Sequence, residues 1–247
     1  ASRFPGRARQ VRARLMAAIA HPSRECAGPL KGRAPGCAAR RQSSEIPVRV
    51  KSHWFKAEGA KTADEVAGAA AFIAWRVAQN ALQTMRAARF ELAPGPRYFG
   101  FIEEFLAFLV IGGDRIAHAR GDEAWRVAFT TAMAHRAGEI LADNEAELLA
   151  TASRDEIRRR FVATVNARAA DCADYGWTDA GPDYGLLRYL GHRIAEVMDA
   201  GERSDAIAQV IECEAPEAAD TLRRAMSGLL GVTPGRRRGG QRLATGE

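Results

Sequence analysis

"YFGFIEEFLAFLVIGGDRIAHARGD", residues 98–122, decides the fold. Phe101, Phe105, Phe108, Leu109 and Ile116 recur along one helical stripe, and no alternating β pattern runs through them. At about 100° per residue, Glu103, Asp114 and His118 fall on the opposite side. The stretch therefore predicts an amphipathic helix over 98–119 with one apolar and one solvated face. The pair Gly112–Gly113 inside it marks close helix packing or a kink. Arg120 and Gly121 make a tight connection, and Asp122 is a good N-cap for a helix reaching about residue 150. So short a link makes these two helices antiparallel neighbours.

Outward from this hairpin the pattern stays helical. Thr62 and Glu65 form a capping box that opens a first helix running to about residue 90, broken by "APGPR" at 93–97. Ser153 and Glu156 form a second box for a fourth helix, to about residue 174. A fifth starts near Pro182 or Asp183 and ends at Gly201, a sixth starts at Ser204, and Pro216 opens a seventh ending near Gly231. No repeat appears. The expected fold is a single all-α domain, residues 50–231, built as a bundle of about seven helices between basic tails at 1–49 and 232–247.

Composition supports a packed body. Residues of hydrophobic type make up 47% of the 247, enough for a core, and much of this is alanine, which favours helices that pack closely. The four cysteines, Cys26, Cys37, Cys172 and Cys213, contain no C-x-x-C pair and read as thiols in a reducing compartment. Cys172 and Cys213 fall at apolar-facing helical positions and are expected to be buried and inert. No apolar run approaches the roughly 18 residues of a membrane span.

The net charge of +6 divides unevenly. Residues 1–49 carry ten Arg and one Lys against two Glu, and residues 232–247 carry four Arg against one Glu. The body between them is acidic, with 21 basic and 27 acidic residues over 50–231. Attraction to nucleic acid or acidic membranes can therefore apply only to the tails. The first tail fails as a secretory signal because "LMAAIA" is too short an apolar region. It fits a mitochondrial-type presequence better, being Arg-rich and acid-poor. A third reading places the native start at or near Val48 or Val50, with the upstream residues an extension of the gene model.

Four constellations invite a chemical reading. Asp114/His118 and His135/Glu139 are i,i+4 pairs, and the hairpin brings Glu103 and Glu104 level with His135 and Glu139. His135 and Glu139 are thus the candidate metal ligands. Against this, the Glu-x-x-His pair of di-iron bundles is absent, and the wheel favours two solvated polar stripes. "TADEVAGAA", residues 62–70, resembles the opening of a helix-turn-helix. It continues as "AFIAWRVAQNAL" with no turn, in an acidic body, so specific nucleic-acid binding is not expected. There is no P-loop, no G-x-G-x-x-G after a strand and no G-x-S-x-G. Third, Trp75, Arg76, Gln79, Asn80 and Gln83 form a polar spine on the first helix. A solvent face is the favoured reading, and a pocket or interface lining the other.

The fourth is "ADYGWTDAGPDYGLLRYLGHR", residues 173–193. Its aspartates lack the spacing of an EF-hand loop. Tyr175 and Trp177 read as aromatic anchors over the end of the core. Tyr184, Leu187, Leu190 and Ile194 are expected as the buried stripe of the fifth helix, with Gly185 and Gly191 admitting a close neighbour. Tyr175, Trp177, Asp179 and His192 are the candidate ligand or partner contacts. The sequence predicts a non-enzymatic cytoplasmic helical protein acting through protein–protein contact or self-association. The alternative is a helical enzyme or sensor with a small-ligand or metal pocket between helices. No cofactor, specific nucleic acid or membrane partner is expected.

Overall fold

The capping box at Thr62 forms as the sequence predicts. The Glu65 amide donates to the Thr62 hydroxyl at 3.2 Å, and the Thr62 amide donates to the Glu65 carboxylate at 2.9 Å. These bonds hold the Glu65 carboxyl below its ordinary pKa, that from the Thr62 backbone contributing most. In this computed structural model the described residues are 61–231 apart from 120, 121 and 151. The basic tails, the Arg120–Gly121 link and the expected start near Val48 or Val50 lie outside them. Every described residue belongs to one compact unit, Ala57–Glu247.

The described residues form seven α-helices: α1 (Ala63–Ala87), α2 (Pro96–His118), α3 (Glu123–Leu149), α4 (Arg154–Asp171), α5 (Tyr184–Val197), α6 (Arg203–Gln209) and α7 (Ala215–Leu229). Helix starts follow their caps: Asp122 accepts from the Trp125 amide, Ser153 from Glu156 and Asp183 from Leu186. Helix ends come earlier than expected. Arg89 adopts a positive φ of 72° two residues past α1, and Met198 is extended, which stops α5 short of Gly201. Between α4 and α5, Trp177–Thr178 (β1) pairs antiparallel with Gly181–Pro182 (β2). This two-residue ladder is a minimal exception to the all-α pattern, and Gly181, just past the Asp179–Ala180 turn, takes a φ of 119° that glycine adopts freely.

α2 is the central helix. Seventeen of its 23 residues are buried, so neighbours cover every side. This corrects the expectation of a solvated face: Glu103 and Glu104 are buried with the phenylalanines. α3 runs antiparallel to α2 as the short link requires. Asp114, late in α2, bonds to Arg126 and Thr130 early in α3, while Glu103, early in α2, shares Arg160 with Glu145 late in α3. The glycine pair marks close packing: a Cβ on Gly112 would sit 2.7 Å from the Trp177 ring, and one on Gly113 would sit 2.9 Å from the Met133 sulfur.

Small residues set the other approaches. α1 buries Ala67, Ala70, Ala71, Ala74, Ala78 and Ala81 along one face. Trp75, assigned to the polar spine, turns inward and is buried. Gly191 of α5 lies against Ile211 and the Ile207 carbonyl, so α6 and the following turn come in close. Tyr184 leaves the predicted stripe and is 66% exposed, and Leu186 takes its place in the core. Cys213 is exposed rather than buried, whereas Cys172 is buried, which pushes its thiol pKa up to about 11.

α6 and α7 follow one another without a break at Pro216. A π-helical turn, Val210–Glu214, joins them, and the Ala215 amide bonds back to the Val210 carbonyl. Proline has no amide for the Glu212 carbonyl and its ring crowds that carbonyl. Winding one residue wider accommodates both problems without ending the helix. Among the described residues no helix is long and apolar enough to cross a membrane.

Candidate functional site

Most polar residues that suggest ligands are already paired. On α2, Glu104 receives a bidentate pair from Arg168 of α4 at 2.9 and 2.7 Å, and Arg193 of α5 stands 3.4 Å away. Glu103 accepts from Arg160 at 3.0 Å and from the Thr164 hydroxyl at 2.8 Å. Arg160 also reaches Glu145 at 2.7 Å. Burial tends to raise the pKa of Asp114, but bonds from Arg126 and Thr130 outweigh it and hold the carboxyl below its usual value. These clusters clamp α2 to α3, α4 and α5. A carboxylate so bonded has few lone pairs left for a ligand.

The predicted metal pair does not gather a ligand set. His135 is exposed, and Glu139 accepts from Arg136 at 3.1 Å. Both line an open trough of about 620 Å³ between α3 and α4, where Arg158 and Arg159 also stand. Glu103 and Glu104, expected level with them, bond instead to arginines of α4 and α5. Among the described residues no group of three or more His, Cys, Asp or Glu side chains converges as a metal site needs.

The predicted contact residues of the connector separate in space. Trp177 packs on α2, 6.1 Å between centroids from Phe108 and edge-on to Gly112. Tyr175 lies over Gly185 of α5 and 6.2 Å from Tyr189. Asp179 is exposed at the turn of the ladder. His192 is exposed on α5, its Nε2 3.5 Å from Arg188. The two aromatics anchor the connector at different points, and the two polar side chains face outward.

A cleft that no sequence motif marks lies between α1 and α7. Its volume is about 320 Å³, at the small end of the range for ligand sites. The α1 wall presents Phe72, Ile73, Arg76, Val77, Asn80 and Ala81. The opposite wall presents Glu214, Glu217, Ala218 and Thr221. Phe72 is 59% exposed at its edge. Arg76 and Asn80 belong to the polar spine noted in the sequence. Glu214, Glu217, Thr221 and Phe72 were not singled out there.

Glu214 is the unusual member. It is 2% exposed and ends the π-helical turn, with Oε1 accepting from the Gln209 amide at 2.9 Å. Gln209 lies five residues earlier, a separation that the wider winding brings onto one face. Burial raises the carboxyl's pKa above its ordinary value. The Gln209 bond works against this, and the nearby Glu217 charge adds to it. Unlike Glu103, Glu104 and Glu145, Glu214 has no arginine bonded to it among the described residues. The clue in the sequence was Pro216, two residues beyond it in an otherwise helical run.

No protein-family model matches this chain, and neither a curated protein nor a solved structure matches it.

Proposed function

We propose that this protein is a helical binding module that takes a small molecule in the cleft between α1 and α7. The observation that carries the reading is Glu214, a carboxyl buried without an arginine partner at the edge of an open cleft. Burying an unpaired acid opposes folding. Where a chain elsewhere pairs its buried acids with arginine, an acid left without one beside a cleft is a functional-site candidate. Two further features support it: π-helical turns are frequent at functional sites, and the cleft combines an apolar floor with a few polar groups. The wall residue Thr221 is half-buried, so Thr221→Trp fills the cleft without entering the core. A thermal-shift screen of small molecules tests the proposal. Compounds that stabilise the wild type and fail to stabilise Thr221→Trp support it; compounds that stabilise both equally contradict it.

A second reading is protein–protein contact or self-association, and the exposure of Phe72 favours it. Light scattering of wild type and Phe72→Ser separates the two. A dimer or larger species that Phe72→Ser dissociates supports association, and an unchanged monomer rejects self-association. Either reading suits a cytoplasmic protein with reduced thiols. The acidic body offers no reason to add a nucleic-acid partner.

A further inference from the structure

The cleft has walls of opposite charge. Arg76 and Asn80 are one helical turn apart and share a face of α1. Among the described residues no carboxylate lies within ion-pair distance of Arg76. Across the cleft, Glu214 and Glu217 are spaced i,i+3 and project together. Among the described residues no cation of α7 pairs with either acid, since Arg223 and Arg224 both pair with Asp220. Between the two walls lie Ile73, Val77, Ala81 and Ala218, which are apolar, with Phe72 at the edge.

Each simple ligand class leaves part of this unmatched. An anion would meet Arg76 but face two acids. A monovalent amine would satisfy the acids and leave the guanidinium without a partner. A divalent metal needs more oxygen donors than the described residues converge there. A neutral apolar molecule would match none of the charged groups and would further desolvate the Glu214 carboxyl, which has only the Gln209 amide bonded to it, at a cost in binding energy.

We infer that the cleft takes a zwitterionic small molecule of the amino-acid type. Its ammonium group sits against Glu214 and Glu217, its carboxylate meets Arg76 and Asn80, and its apolar side chain lies along Val77 and Phe72. This inference rests on the cleft being a ligand site, as proposed above.

The test uses three probes of matched shape on the full chain by calorimetry: L-phenylalanine, 2-phenylethylamine and 3-phenylpropanoate. L-phenylalanine should bind at least about tenfold more tightly than either singly charged probe, the equivalent of about 1.4 kcal/mol for the second charged contact. Arg76→Met, at an exposed position, should bring L-phenylalanine to the level of 2-phenylethylamine. Glu214→Gln, which keeps the side-chain shape, should weaken both amines and leave 3-phenylpropanoate unchanged. Far-UV circular dichroism verifies that each variant is folded. Equal binding of L-phenylalanine and 2-phenylethylamine would overturn the inference, as would an Arg76→Met variant that binds like wild type. If none of the three binds while other compounds stabilise the wild type and not Thr221→Trp, the zwitterion class fails and the cleft reading stands. If no compound of any class distinguishes Thr221→Trp, both fail.

Discussion

Replacing Arg168 by methionine removes the main partner of Glu104 while keeping most of the side-chain volume. The Glu104 side chain is 10% exposed and that of Arg168 is 17% exposed, so water reaches neither end of the pair freely. Removing one partner of such a buried pair costs about 3–5 kcal/mol, because the remaining charge is left uncompensated. Arg193 still stands 3.4 Å from Glu104 and takes over part of the role, which puts the expected cost at the low end, about 3 kcal/mol. The converse change, Glu104→Met, should cost less, about 1.5–3 kcal/mol. Arg193 keeps its bonds to Glu196, and both arginines reach water more easily than the buried acid does. The double variant should then lie closer to wild type than Arg168→Met alone, since it removes the charge with its partner. Urea unfolding followed by circular dichroism measures all four proteins, with the slope of the transition checked for constancy. An Arg168→Met variant within about 0.5 kcal/mol of wild type, the range of ordinary surface changes, would refute the burial of this pair.

Other outcomes follow from the same packing. Gly112→Ala forces a methyl against the Trp177 ring at 2.7 Å and Leu222 at 3.2 Å, and overpacking of this kind should cost about 1–3 kcal/mol. Combining it with Trp177→Leu should recover part of that loss in the same unfolding assay. The Glu214 carboxyl, raised by burial, makes stability fall as pH rises from its ordinary 4.5 through its folded value. Glu214→Gln should therefore melt higher than wild type at neutral pH, with the gap closing in acid. Asp114 has the opposite sign. Its lowered pKa gives stability that is present above the ordinary 3.8 and lost as pH falls through the folded value. Asp114→Asn should melt lower than wild type at neutral pH and approach it in acid. With Cys26 and Cys37 changed to serine, a maleimide should modify Cys213 in the native protein. Cys172, buried and with its thiol at about 11, should react only on unfolding.

The helices were legible because their signals are local. Thr62 with Glu65, Asp122, Ser153 and Asp183 each cap a helix through residues three positions away or nearer. The burial of α2 was not legible, because a helical wheel sends every acid to solvent. The arginines that bury Glu103 and Glu104 lie 57, 64 and 89 positions along the chain, and only tertiary packing brings them there. Pro216 gave the right place for α7 and the wrong idea of a break, since a wider winding is invisible to a periodicity of 3.6. Tyr184 illustrates a related limit: in the first turn of α5 it overhangs the core that Leu186 enters. Only Arg76 and Asn80 of the cleft were visible in the sequence, as members of the polar spine of α1. The opposite wall, with Glu214 and Glu217, acquires meaning only when α7 packs against α1.

The most direct test of the cleft is an isotope-edited NMR titration that follows the Glu214 carboxyl carbon and the Asn80 side-chain amide as the most strongly stabilising compound is added. Saturable shifts are expected at both positions, with the largest backbone changes confined to α1 and α7. Shifts centred instead on Tyr175, Trp177 and His192, or on His135 and Glu139, with Glu214 and Asn80 unmoved, would contradict it.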